Sequence, residues 1–152
     1  MLIRRMTEND LGEVVKLEQK IFPDPWIRSS FEYEILNNKF SIPLVLEKNK
    51  EIIGYAIVWK IFEEFHIANF AIRPEYQGKK IGTNFLKNIL TLAENCFYAI
   101  LEVRESNKRA IHLYEKQGFK PIMKRARYYR NGEAALVMQK FFVKQKSKQS
   151  NT

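Results

Sequence analysis

The sequence predicts an α/β fold in which helices flank one mixed sheet. Three observations support this fold class. First, the chain has 152 residues, of which 45% are hydrophobic and 13% aromatic, enough to close one core. Second, β-rich runs alternate with stretches of helical periodicity, as they do in α/β proteins. Third, no internal repeat or linker divides the chain, so we expect one domain over residues 1–143 and a basic flexible tail over residues 144–152.

The first half predicts a strand, two helices and three further strands. Residues 1–5 form the strand, and Thr7 or Asn9 caps the first helix. Pro23 and Pro25 end that helix and precede a second, shorter one. Three β-rich runs separated by short polar turns follow, at residues 42–47, 52–62 and 65–72.

The second half predicts two helices around a strand, and then a hairpin. Residues 81–93 carry apolar side chains at helical spacing, and residues 98–103 form a strand. The next helix is capped by Asn107 or Ser106 and ended by Gly118. The last two β-rich runs cover residues 119–128 and 134–143, and the turn between them contains Arg130, Asn131 and Gly132.

Composition excludes several classes of protein. The 6 glycines, 5 prolines and high aromatic content exclude a disordered or collagen-like chain. The single cysteine, Cys96, excludes a disulfide scaffold, and we expect it to be a packing residue. The longest apolar stretch, residues 52–59, is too short to span a bilayer, and no apolar signal core follows the N-terminal charges. We therefore expect a soluble, cytoplasmic protein that does not enter a membrane.

The net charge of +9 is concentrated in the second half of the chain. Residues 1–72 contain 9 Lys or Arg and 11 Asp or Glu, a net of −2. Residues 73–152 contain 17 and 6, a net of +11, and the two halves add to +9. This asymmetry predicts an anionic partner, which could be nucleic acid, an RNA-rich particle or a phosphorylated cofactor. Charge alone does not choose among them.

A glycine-containing loop lies between the third β-rich run and the amphipathic helix. Its residues are Gln77, Gly78, Lys79, Lys80, Ile81, Gly82 and Thr83. Backbone N–H groups and the positive end of a helix dipole make such a junction a natural anion site. The loop matches neither a P-loop nor Gly-x-Gly-x-x-Gly. An ordinary turn that needs glycine is the alternative.

Two further residues are candidates for acid–base chemistry. Glu102 interrupts an otherwise apolar strand. It lies either at the solvated end of the strand or in a cleft where desolvation raises its pKa, as a general base requires. Tyr114 lies on the apolar stripe of the next helix and is either a core aromatic residue or an acid catalyst.

Other polar and aromatic residues are less informative. His66 and His112 are far apart in sequence, so we expect surface or structural roles for both. A basic run with interleaved tyrosines suits RNA binding, a solvated hairpin face or a substrate-lining surface. It consists of Lys120, Lys124, Arg125, Arg127, Tyr128, Tyr129 and Arg130.

The segment from Asn69 to Gly82 resembles the acetyl-CoA motif of the GNAT N-acetyltransferases, Arg/Gln-x-x-Gly-x-Gly/Ala. Gln77 and Gly82 match this motif, and Lys80 replaces its first glycine. Further segments are similar to the subgroup that acetylates ribosomal-protein N-termini, the RimI type. They are Leu17-Glu18-Gln19, Pro25-Trp26, residues 101–107, residues 110–119 and Tyr128-Tyr129. This chain has Ala134-Ala135 where the subgroup usually has Asp-Ala.

The resemblance covers about residues 2–142 and implies a strongly twisted mixed sheet. Its two parallel strands, ending at Ile72 and Val103, would splay apart to admit the pantetheine arm of acetyl-CoA. The implied reaction is acetyl transfer from acetyl-CoA to a protein N-terminus, with a ribosomal protein as the expected partner. Glu102 would be the general base and Tyr114 the general acid.

The resemblance also implies binding roles. Backbone N–H groups near Ala71 or Ile72 would stabilise the oxyanion, and residues 77–83 would hold the pyrophosphate. Asn107 would hydrogen-bond the pantetheine portion. Tyr128 and Tyr129 would line the peptide channel.

Two alternative functions stay open at this point. The chain could acetylate a small amine such as a polyamine, for which an acidic pocket would be expected. It could also be a catalytically silent GNAT fold that binds RNA or a protein, and salt-dependent RNA retention without acetyl transfer would reveal that. With Glu102 and Tyr114 retained, we expect an enzyme that does not bind nucleic acid directly.

Overall fold

The computed structural model describes residues 1–142, so the tail predicted for residues 144–152 lies outside the described residues. The described chain forms seven strands and four α-helices. In chain order they are β1 (Leu2–Arg5), α1 (Leu11–Ile21), α2 (Arg28–Leu36), β2 (Ser41–Lys48), β3 (Glu51–Ile61), β4 (Glu64–Ile72), α3 (Ile81–Leu90), β5 (Tyr98–Arg104), α4 (Lys108–Lys116), β6 (Lys120–Arg125) and β7 (Ala135–Phe141). None of the helices in this part of the chain is both long and apolar enough to cross a membrane.

All seven strands belong to one sheet in the order β1-β2-β3-β4-β5-β7-β6. Strands β4 and β5 run parallel, and every other neighbouring pair is antiparallel. Helix α3 connects the two parallel strands, as a parallel crossover requires. The predicted α/β fold with one mixed sheet is therefore confirmed.

The two parallel strands pair over only part of their length. Residues Glu64–Ile67 of β4 pair with Tyr98–Leu101 of β5. Beyond this point β4 continues to Ile72 and β5 continues to Arg104, and the two strands no longer pair with each other. The splayed strands implied by the resemblance are thus present, and the gap lies at the carboxyl ends of both strands.

A β-bulge at Ala68 coincides with the start of this gap. Ile57 of β3 pairs with Asn69 and Val58 pairs with Ile67, so Ala68 has no partner in the ladder. A bulge bends a strand and increases its twist. It also shifts the alternation of side chains, because Phe65 before the bulge and Phe70 after it pack in the same cluster. The bulge therefore directs the end of β4 away from β5.

Two hydrophobic clusters cover the two faces of the sheet. The larger one joins the sheet to α3 through Phe85, Leu86 and Ile89. The smaller one lies under α1 and α2 and includes Val14 and Phe31. Burying one such side chain contributes about 1.5–3 kcal/mol. One cluster therefore lies on each side of the sheet, and the gap between β4 and β5 opens in the sheet between them.

Several predicted boundaries differ from the structure. Helix α1 follows a 3₁₀ turn at Glu8–Asp10, so neither Thr7 nor Asn9 caps it directly. Helix α2 begins at Arg28 instead of the Pro25-Trp26 step. The hairpin is present, but its strands are shorter than predicted, and Tyr128 and Tyr129 lie in the connection between them.

Two predicted ends of α4 are confirmed. Asn107 is the N-cap, and its Oδ1 accepts a hydrogen bond of 3.2 Å from the Ala110 N–H. Gly118 follows the helix at a φ of 92°, a left-handed conformation that glycine adopts readily.

Candidate active site

A cleft of about 650 Å³ opens where β4 and β5 diverge. Ligands of α/β proteins commonly bind beyond the carboxyl ends of parallel strands. The predicted site residues whose side chains or backbone line the cleft are Ala71, Ile72, Gln77, Gly78, Lys80, Gly82, Thr83, Glu102, Asn107, Tyr114 and Tyr129. The divergence of two strands thus gathers most of the residues that the sequence singles out.

Three predicted site residues do not line the cleft. Lys79 lies with its Nζ atom 5.8 Å from the centre of the Tyr76 ring. Ile81 packs its side chain in the core, which leaves only its backbone for a ligand. Tyr128 is 48% exposed, and its ring centre is 5.1 Å from that of Tyr129.

The loop before α3 presents a row of backbone donors. Within the described residues, the N–H groups from Gly78 to Thr83 donate to no backbone acceptor, and the first such bond runs from the Asn84 N–H to the Lys80 carbonyl. Gly78 has a φ of 78°. These donors and the positive end of the α3 dipole suit a phosphate group.

Lys80, which stands where the motif has its first glycine, has a left-handed backbone conformation. Its φ of 63° lies in the left-handed region, which costs a residue with a side chain about 1–2 kcal/mol. Glycine adopts this conformation readily, whereas Lys80 adopts it at that cost and adds a cation to the cleft.

Gln77 holds the loop against the end of β4. Its Nε2 donates a hydrogen bond of 2.9 Å to the Ile72 carbonyl. The Gln77 side chain therefore stabilises the turn, and this motif residue contributes to the geometry of the anion loop.

Arg109, in the first turn of α4, adds positive charge that sequence reasoning did not single out. One of its guanidinium nitrogens lies 3.4 Å from the position that a Cβ atom on Gly78 would occupy. Arg109 and Lys80 both line the cleft, and neither forms an ion pair with any described residue. The excess of positive charge in the second half of the sequence includes Arg109, but only the fold shows that α4 places this residue near the loop.

The ladder between β3 and β4 decides which backbone donors face the gap. The Arg73 N–H donates a bond of 2.8 Å to the Ile53 carbonyl of β3. Donors alternate between the two sides of an antiparallel strand. The N–H of Ala71 therefore points towards β3, whereas that of Ile72 points into the gap. Of the two predicted oxyanion donors, Ile72 has the suitable orientation.

Glu102 lies in the cleft and contacts a histidine. His66 Nε2 is 3.1 Å from Glu102 Oε1, and the two residues are 36 positions apart in sequence. Burial acts to raise the pKa of Glu102, but the hydrogen bond and charge of His66 and the charge of Arg125 outweigh it, so the pKa is lowered from its ordinary value. The cleft location predicted as one alternative is correct, but the expected rise in the pKa is wrong.

Tyr114 combines the two alternatives considered from the sequence. Its ring packs in the core against Phe70 and Phe119, at centroid distances of 6.2 and 5.8 Å. It also lines the cleft, and its hydroxyl forms no hydrogen bond with the described residues. Burial raises its pKa, with a smaller contribution from Tyr129. The hydroxyl is therefore protonated at neutral pH and can donate.

A buried arginine, Arg104, connects several residues that line the cleft. Its guanidinium carbon lies 3.9 Å from the centre of the Tyr129 ring. Its Nη1 donates to Glu133 at 3.2 Å and to Asn131 at 3.3 Å, and its Nη2 is 3.9 Å from Asp24. Burial raises the pKa of Tyr129 to about 12, although the Arg104 charge opposes the rise. Arg104 thus joins the α1–α2 loop to the β6–β7 connection.

Comparison with known proteins adds a family match. Residues 11–119 match the model of the acetyltransferase (GNAT) family. A Bacillus subtilis protein with the provisional name ribosomal protein bS18-alanine N-acetyltransferase is 37% identical over 139 residues, which are 90% of this chain and 92% of that protein. The Haemophilus influenzae ribosomal protein bS18-alanine N-acetyltransferase is 34% identical over 130 residues, covering 84% and 87%.

A solved structure agrees with these matches. The crystal structure of the ribosomal-protein-S18-alanine N-acetyltransferase from Escherichia coli superposes with a TM-score of 0.84 at 28% identity, and the match covers 95% of each chain.

Proposed function

Because this chain belongs to the GNAT acetyltransferase family and is an acetyl-CoA-dependent N-acetyltransferase, we propose that its acceptor is the α-amino group of a protein N-terminus. We further propose that this protein is a ribosomal protein. The cleft between β4 and β5 carries the proposal, since it is lined by the anion loop, by Glu102, by the buried Tyr114 and by the half-buried Tyr129. The names of the relatives supply the class of acceptor.

The donor substrate, acetyl-CoA, matches the cationic end of the cleft. The N–H groups from Gly78 to Thr83 bind the pyrophosphate, and Lys80 and Arg109 offset its charge. Asn107 donates through Nδ2 to the pantetheine portion, because its Oδ1 is already engaged as the cap of α4. Lys79 adds to the positive potential from outside the cleft.

Glu102 accepts a proton from the attacking nitrogen, directly or through one water. An α-ammonium group has a pKa of about 8, so part of the substrate is neutral at pH 7. Glu102 is charged under these conditions because its pKa is lowered from the ordinary value of a carboxyl group. As the C–N bond forms, the nitrogen becomes far more acidic, and the proton then moves to the carboxylate.

The other two steps use a backbone group of β4 and a side chain of α4. The N–H of Ile72 donates to the oxyanion of the tetrahedral intermediate. When the C–S bond breaks, Tyr114 gives its proton to the departing thiolate. Tyr129, which lines the cleft, and Tyr128, which packs against Tyr129 outside the cleft lining, enclose the first residues of the peptide substrate.

Acetyl transfer to a panel of N-terminal peptides, followed by mass spectrometry, tests the proposal. We expect peptide acetylation by the wild type and a loss of about 10²–10⁴-fold in Glu102→Gln. Glu105→Gln is the matched control, because Glu105 lies outside the cleft and pairs with Lys124. Spermine is included as a small-amine acceptor.

Two results would overturn this proposal. Acetylation of spermine alone would identify a small-amine acetyltransferase. Binding of acetyl-CoA without transfer to any peptide or amine would indicate a catalytically silent binding protein.

A further inference from the structure

A buried polar cluster lies on the face of the sheet that carries α1 and α2. Its centre is Glu18 of α1, which is only 2% exposed. The carboxylate accepts hydrogen bonds from the Tyr55 hydroxyl at 2.7 Å, the Asn69 Nδ2 at 3.0 Å and the Trp26 N–H at 3.0 Å. Burial raises the pKa of Glu18, and these three bonds oppose the rise. Such a cluster costs stability unless every member is satisfied.

Asn69 is the member of this cluster with an unused acceptor. A carboxylate only accepts hydrogen bonds, so the NH₂ group of Asn69 must face Glu18, and its carbonyl oxygen Oδ1 faces elsewhere. Within residues 1–142, Oδ1 accepts no hydrogen bond, and it is not among the buried polar atoms that lack a partner. Asn69 also lines the cleft. Its Oδ1 is therefore an acceptor that a ligand in the cleft can reach.

The bulge at Ala68 brings Asn69 onto the same face of the sheet as Glu102. Before the bulge, His66 alternates with the core residues Phe65 and Ile67. After it, Asn69 alternates with the core residue Phe70 and reaches Glu18 on the α1 side. His66 contacts Glu102 at 3.1 Å. Asn69 and Glu102 are therefore carried by the two diverging strands, one on each side of the gap.

We propose that Asn69 is a substrate-binding residue whose Oδ1 accepts a hydrogen bond from the attacking nitrogen, and that Glu18 is a positioning residue that fixes the orientation of the Asn69 amide. This inference rests on the proposed function and adds a second acceptor to it. A primary amine has two N–H bonds. With one directed to Asn69 and the other to Glu102, its lone pair points into the gap, where the thioester carbonyl is bound. An amide oxygen takes no proton, so Asn69 orients the nitrogen while Glu102 accepts the proton.

The test uses steady-state kinetics with a peptide that the wild type acetylates, and calorimetric titration with acetyl-CoA. Asn69→Ala is expected to lower kcat/KM about 10- to 100-fold, the usual effect of removing a hydrogen bond to a charged group, because the attacking nitrogen gains positive charge as the C–N bond forms. Glu18→Gln should have a similar effect, because the new NH₂ group can turn the Asn69 amide around. The kcat/KM of the double variant should be no lower than that of the less active single variant. The affinity for acetyl-CoA should change less than twofold in all three.

Glu34→Gln is the matched control for Glu18→Gln. Glu34 is also a buried carboxylate with two donors, Trp59 and Asn38, but it does not line the cleft. The Glu34→Gln variant should lose thermal stability, as the Glu18→Gln variant does, and should keep the wild-type kcat/KM. If Asn69→Ala does not fold, Asn69→Ser, which keeps a smaller side chain with an oxygen, replaces it.

Three results would overturn the inference. An Asn69 variant with kcat/KM within threefold of the wild type would exclude a bond to the substrate. If the fold losses in kcat/KM of the two single variants multiply in the double variant, Glu18 does not act through Asn69. A parallel loss of acetyl-CoA affinity would indicate a general structural role. A wild type that acetylates no peptide fails at an earlier step, because it contradicts the proposed function itself.

Discussion

His66 lowers the pKa of Glu102 by opposing the effect of burial. A carboxylate in a cleft is normally destabilised by desolvation. Here the imidazole at 3.1 Å and the more distant Arg125 outweigh that cost and lower the pKa. Glu102 is consequently ready to accept a proton over the whole neutral range, and its environment favours the charged form before substrate arrives.

We expect His66→Phe to raise the pKa of Glu102, because burial remains while the hydrogen bond is lost. Carbon-detected NMR titration of the Glu102 carboxyl should give a midpoint below the ordinary glutamate value in the wild type and a higher midpoint in the variant. A lowered pKa stabilises the fold above the unfolded pKa of about 4.3, and this contribution is lost as the pH falls through the folded pKa. An unchanged midpoint would contradict the assigned role of His66.

At the scale of elements, the end of β4 is held in place by a close approach from β3. A Cβ atom added to Gly54 would lie 2.9 Å from the Ala71 carbonyl oxygen and 2.9 Å from the Ile72 side chain. Glycine at this position lets β3 and β4 come together where β4 leaves β5. The shape of the gap therefore depends on a strand that does not line it.

Gly54→Ala is expected to lower the free energy of unfolding by about 1–3 kcal/mol, the usual cost of overpacking. It should also weaken acetyl-CoA binding by displacing the end of β4. Gly12→Ala in α1 is the control, because nothing lies within 4 Å of its added Cβ, and alanine there should stabilise the helix by about 1 kcal/mol. Denaturant melts and calorimetry measure both effects. Equal stability changes in the two variants would contradict the close-packing argument.

Periodicity and turn residues predicted most elements but not the features that open the site. Alternation over residues 65–72 predicts one uninterrupted strand, whereas the bulge at Ala68 changes the face on which Asn69 lies. The buried cluster around Glu18 could not be predicted, because its partners Tyr55 and Asn69 are distant in sequence. Contacts between residues far apart along the chain carry no local signal, so the candidate acid–base residues could be singled out, but not their neighbours.

At the scale of the whole molecule, the cleft lies between two hydrophobic clusters that share a single sheet. The cationic loop belongs to the α3 side, and the Glu18 cluster belongs to the α1 side. The uneven charge of the sequence has a partial explanation here, since Lys80 and Arg109 both come from the basic half. A ligand that occupies the gap contacts both halves of the fold at once.

Acetyl-CoA at 100 times its Kd is expected to raise the melting temperature by about 5–10 °C, because binding to the native state alone contributes about 2.7 kcal/mol. Scanning calorimetry measures the shift. At the same ligand concentration, Arg109→Ala should show a smaller shift than the wild type. Lys87→Ala, at the far end of α3 and outside the cleft, should show the same shift as the wild type. ATP supplies phosphates without a pantetheine arm, and an equal shift with ATP would contradict binding in the gap.

The short pairing of β4 with β5 leaves an open strand edge inside the molecule. Past Ile67 and Leu101 the two strands present main-chain groups to each other across a space instead of bonding. Exposed edges are templates for extended chains, and proteins usually cover them. An extended arm lying in this space would act as a stand-in strand and complete the sheet. Without a ligand, the protein would keep these unpaired strand edges, which are sites where another extended chain can pair. A bound substrate that fills the space would therefore also oppose self-association.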